Sequence, residues 1–245
     1  MLDIIIIACY IFTVDYKNND EVNVGVKDYS LRQIKHAKTR IAIMDAFIKR
    51  LEKTRFDDIA IREICKSVEI SEGTFFNYFP QKIDIVNYYV SLMFIEVIWK
   101  MRKDAPSNEY INTINTFFAI MAEEMLIYDN VVYQIISLTI MQRERPKRVA
   151  ISNLEKQIYF PNYEGVDSIE PALVDDFLKE CLTGAVKNGE LPKDTDIGDV
   201  LVSLTTILVG TLLSVKFSNI KNKSYHYRRQ LQLLWKALGA RKAMR

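Results

Sequence analysis

Histidine and cysteine are nearly missing from this chain of 245 residues. It has two of the first, His36 and His226, and three of the second, Cys9, Cys65 and Cys181, with no C-x-x-C spacing. That leaves no His-based metal site or catalytic triad, no zinc knuckle and no disulfide framework. Glycine and proline are also scarce, at 8 and 6 residues. There is no Gly-rich phosphate loop and no alternation of strands with turn dipeptides, so helices are favoured. The sequence reads as a non-enzyme with no cofactor and no metal. Apolar runs long enough to span a bilayer, about 20 residues, are lacking too. "LDIIIIACYIFTV", residues 2–14, is too short. Residues 197–217 come closest but are interrupted by Asp199, Gly210 and several Ser and Thr. The expectation is a reduced, cytoplasmic protein with no membrane attachment.

Residues 1–28 carry that short apolar run without a basic leader or a small-residue cleavage site. They are expected to lie outside the fold, as if translation started further in. The remainder has an ordinary globular composition, half apolar and a quarter charged. The net charge of +2 is small, but its distribution is uneven. Residues 27–56 hold nine Lys and Arg against Asp28, Asp45 and Glu52, whereas residues 83–245 hold 20 against 19. A basic head on a neutral body points to a polyanion at one end.

Residues 31–53 read as an amphipathic helix, with Leu31, Ile34, Ile41, Met44, Phe47, Ile48 and Leu51 near three-and-four spacing. A second helix is expected over about 58–66, capped by Asp57 or Asp58. Then comes "SEGTFFNYFPQK", residues 71–82. Ser71 is placed to cap a third helix, Phe75 and Phe79 form one i,i+4 ridge, and Pro80 ends it. Two short helices joined by a tight turn make a helix-turn-helix. With that ridge buried, Ser71, Glu72, Gly73, Thr74, Asn77 and Tyr78 face outward, and Phe76 lies near the rim. Gly73 allows close approach of a neighbouring surface. Thr74 and Asn77 suit base edges, and Tyr78 suits a phosphate. Glu72 either accepts from cytosine or repels phosphate. Lys82 and Arg40 complete the expected DNA-contacting set.

This arrangement resembles the TetR family of bacterial transcription regulators. The resemblance rests on "TRIAIMDAFIKRLEKTRFDDIAIREICKSVEISEGTFFNYFPQKIDIV", residues 39–86, and most specifically on S-x-G-T-F-F-N-Y-F-P-x-K. It implies an all-α protein: a three-helix DNA-binding domain, residues 29–82, and a larger helical domain for effector binding and dimerisation, residues 83–245. It also implies base-facing roles for Thr74 and Asn77 and phosphate contacts for Tyr78 and Lys82. Three positions depart from the pattern. Phe76 lacks the hydroxyl of the usual Tyr, Ala60 stands where a Thr often caps the second helix, and Glu69 replaces the turn glycine. A left-handed backbone at Glu69 would cost about 1 kcal/mol.

Beyond residue 82, helices are expected at about 82–103, 107–127, 130–143, 147–160, 171–188, 195–218 and 224–238. Those at 171–188 and 195–218 are the expected homodimer interface. Trp99, Tyr110, Phe117, Met121, Met125, Tyr133 and Met141 are candidate lining for a pocket that takes a small apolar or amphipathic effector. The favoured function is a dimeric repressor released from a near-palindromic, double-stranded DNA operator by that effector. The alternative is a DNA-binding interaction protein whose larger domain docks another protein.

Overall fold

A computed structural model describes residues 29–104, 109–127, 129–142, 147–218 and 222–240. The apolar extension lies outside them. Ten α-helices and two short 3₁₀ turns make up the described elements, and no strand occurs among them. The fold is all-α, as expected.

The head begins with α1, Leu31–Leu51. Ser30 and Gln33 form a capping box: the Gln33 amide donates to Ser30 Oγ, and the Ser30 amide donates to Gln33 Oε1. The helix buries Ala37, Ile41, Ile43, Met44, Phe47, Ile48 and Leu51. Leu31, expected on this stripe, is instead 84% exposed, because the first turns of α1 project beyond the core. A 3₁₀ turn, Phe56–Asp58, leads to α2, Ile61–Val68. Neither Asp57 nor Asp58 caps α2. The helix starts three residues later than expected, at Ile61, after an Ala60 cap with no side-chain bond. Glu69 then adopts the left-handed conformation, φ 57° and ψ 44°, that the missing glycine would have taken at less cost.

Helix α3, Glu72–Tyr78, is capped as expected by Ser71, whose Oγ accepts from the Thr74 amide at 3.1 Å. Phe79 turns extended ahead of Pro80. Helix α4, Lys82–Asp104, joins the two buried clusters of the molecule. Its Ile85, Val86, Tyr88, Leu92 and Ile95 pack with α1–α3, and its Phe94, Val97 and Met101 pack with the body.

The body comprises α5 Tyr110–Ile127, α6 Asp129–Gln142, α7 Asn153–Tyr159, α8 Val174–Lys187, α9 Ile197–Phe217 and α10 Lys223–Ala237. Helix α7 is shorter than the expected 147–160. Asn87 Oδ1 and Ser91 Oγ on α4 accept from the amides of Lys147 and Val149, which holds that stretch non-helical until the Ser152–Glu155 capping box. The buried carboxylate of Glu190 caps α5 from a distance by accepting from the Tyr110 and Ile111 amides. Trp235 on α10 donates to Asn115 on α5 at 2.9 Å, and Tyr227 donates to the Leu208 carbonyl on α9. Helix α9 alone among the described residues is long and apolar enough to cross a membrane, and 33% of that apolar window is buried.

Candidate nucleic-acid interface

The geometry of α3 follows from its two buried rings. Phe75 and Phe79 are fully inside, with Phe79 edge-on to Tyr88 at 5.7 Å. That fixes the helix rotation and turns Ser71, Glu72, Gly73, Phe76 and Asn77 outward. Phe76 is 44% exposed and leans edge-on against Phe75. A Cβ on Gly73 would meet only Ser71 Oγ, at 3.9 Å. No packing among the described residues requires glycine there. Thr74 is half-buried, its hydroxyl 2.8 Å from that of Ser71. Tyr78, also half-buried, packs its ring 4.7 Å from that of His36 on α1.

Between α3 and the start of α1 runs an open groove of about 630 Å³. Arg32, Lys35 and His36 line one wall and Thr74, Asn77 and Tyr78 the other. The sequence pattern had not singled out His36. The signal that could have found it was its place one turn after Arg32 and next to Lys35 on the exposed face.

Two expected DNA contacts are engaged elsewhere. Arg40 is directed inward, onto Glu155. Its guanidinium donates to Glu155 at 2.9 Å and lies over the rings of Tyr88 at 4.2 Å and Phe79 at 5.5 Å. Glu155 also accepts from Tyr88 and Ser152, so one carboxylate ties α1, α4 and α7 together. Burial would raise the Glu155 carboxyl. The Ser152 donors, Arg40 and Tyr88 outweigh it and hold the carboxyl below the ordinary range. The Lys82 ammonium donates to the carbonyls of Asp57 and Ile59 and sits 5.0 Å from the Phe56 ring centre. It braces the entry to α2.

The candidate effector residues divide between the two buried clusters. Phe117 and Met121 are buried in the body core, where Phe117 meets Phe177 at 5.1 Å. Tyr110 packs its ring onto bare Gly184 of α8, in space that a Cβ would need. Tyr133 donates to the Leu212 carbonyl at 3.3 Å. Trp99 belongs to the other cluster, stacked on Tyr163 at 3.9 Å, and Met141 is 71% exposed. The side chain of Met125 lies outside the described set. Among the described residues no cluster of His, Cys, Asp and Glu could hold a metal.

No protein-family model matches the chain, and no curated protein matches its sequence. The likeness is structural. FadR of Thermus thermophilus, a TetR-family transcriptional repressor solved in complex with lauroyl-CoA, superposes with a TM-score of 0.55 at 19% identity, covering 84% of this chain and 98% of that one. The fatty acid degradation regulator FadR from Bacillus halodurans gives 0.57 at 14% identity, covering 82% and 97%. GusR of Salmonella enterica gives 0.55 at 16% identity, covering 81% and 96%. With its helix-turn-helix head, linking α4 and helical body, this chain has the fold of the TetR-family transcription regulators.

Proposed function

We propose that the chain is a dimeric DNA-binding regulator, a repressor that leaves a near-palindromic operator when a small molecule enters its body. The outward face of α3 carries this reading: Gly73 and Asn77 are presented to solvent with no duty among the described residues, beside a cation-lined groove. A helix-turn-helix places its second helix in the major groove, and two copies meet half-sites about 34–36 Å apart. Asn77 reads a base edge, Tyr78 and the cations of α1 hold phosphates, and Arg40 and Lys82 keep the head rigid.

The second copy covers α8 and α9. Val202 and Phe217 on α9 are 66% and 84% exposed on a helix that is apolar nearly all round. A helix of that kind requires cover on every side. For the effector, lauroyl-CoA in the Thermus protein supports an apolar or amphipathic molecule. It would enter among Phe94, Phe117 and Phe177, where α4, α5 and α8 meet. Such a protein acts in the cytoplasm and performs no catalysis.

The experiment is selection of duplexes from a random library by the full chain, followed by anisotropy titrations. An enriched near-palindrome is expected, with a size of two chains per duplex. Asn77→Ala should change preference among sites by about 1–3 kcal/mol, while Tyr78→Phe weakens all duplexes alike. Uniform weakening by both would refute the division of roles.

A further inference from the structure

The groove beside α3 has one ring whose presence the recognition helix does not explain. His36 is exposed, packed on Tyr78 at 4.7 Å with a 39° tilt between rings. Among the described residues neither of its nitrogens has a hydrogen-bond partner. On its own helix it faces Arg32 and Lys35, with Gln33 between them. From α3 come Tyr78, Asn77 and Thr74, and from the segment before α1 comes Tyr29. The approach to α7 contributes only Ser152 and Leu154, which carry no charge. Glu155 behind them is turned inward onto Arg40 and Tyr88. The described lining is therefore cationic, aromatic and amide-bearing, without a carboxylate. Its shape is a trough alongside the helix that would enter the major groove.

We propose that this trough seats a phosphodiester strand and that His36 is one of its ligands, donating from a protonated ring held in place by Tyr78. This rests on the DNA-binding reading above. An imidazolium offers two N–H donors, whereas the neutral ring offers one and no charge. Histidine is the side chain that changes charge between pH 5 and 8. Binding through it takes up a proton, so affinity for DNA rises as pH falls.

The test uses the full chain, a duplex enriched from a random library, and anisotropy titrations over a salt series at pH 6 and pH 8. Wild type should bind roughly tenfold tighter at pH 6, with a log–log salt slope steeper by about 0.9, the increment for one more neutralised phosphate. His36→Gln should lose both differences. His36→Lys should keep the tight, steep behaviour at both pH values. Because the ring is exposed, melting temperatures should match wild type. If His36→Gln retains the wild-type pH dependence and slope, the proposal is overturned while DNA binding stands. If no duplex is enriched, the DNA-binding reading falls first and takes this one with it.

Discussion

Glu155 and Asp45 both lie within electrostatic reach of Tyr88, one on α7 and the other on α1, yet only Glu155 has partners there. Four donors satisfy its carboxylate and hold its titration low. Asp45 has no hydrogen-bond or ion-pair partner among the described residues, and burial pushes its carboxyl up to about 7. The surroundings of Tyr88 therefore stabilise one anion and penalise the other. Burial sets the size of the electrostatic stake, and partners set its sign.

The largest effect should come from removing the satisfied anion. Glu155→Ala leaves the Arg40 guanidinium and the Tyr88 hydroxyl facing the interior alone, and should cost about 3–5 kcal/mol in urea unfolding. Replacing both charges, as Arg40→Met with Glu155→Leu, should cost less than Glu155→Ala by itself, since no orphan charge remains. A double variant weaker than the single one would mean that the pair stabilises beyond mutual satisfaction.

The two carboxylates should also respond oppositely to pH. A lowered folded-state value means that the Glu155 contribution is present above the ordinary carboxylate range and is lost as pH falls through it. A raised value means that the Asp45 contribution is fully present below 3.8 and is lost as pH rises toward about 7. Asp45→Asn should therefore remove a downward stability slope between pH 4 and 7. At pH 8 the variant should be stabler than wild type by roughly 2 kcal/mol, read from urea midpoints across pH. An unchanged slope would show that Asp45 is solvated in the native protein. The smallest effect sharpens the contrast at a backbone site. Glu69→Gly should relieve about 1 kcal/mol of left-handed strain and raise Tm by a few degrees.

The head was legible because its signals are local. The Phe75–Phe79 ridge, the Ser71 cap and the Pro80 stop each act within one helix turn, and all three hold in the structure. The failures are long-range. Nothing near residue 147 announces that Asn87 and Ser91 will take its backbone donors, so α7 was expected six residues early. Arg40 looked like its basic neighbours, because the run of cations does not say which one a distant carboxylate will claim. The Ser152–Glu155 capping box hinted that Glu155 would be fixed, but gave no sign of its second partner. The pocket candidates rest on residue type alone, which does not say which helix a side chain will meet. Whether Tyr110 lines a cavity or fills one depends on Gly184, a residue on another helix.

The chain has two tryptophans, and each belongs to a different buried cluster: Trp99 stacks on Tyr163 in the cluster that contains the core of the head, and Trp235 lies inside the body. The protein thus carries two natural fluorophores that are separable by one substitution each. Emission from a Trp235→Phe variant reports on the head's cluster alone, and emission from Trp99→Phe reports on the body's cluster alone. A ligand that loosens the head would quench or shift the first without moving the second, so the route of a signal through the molecule can be read without attaching a label.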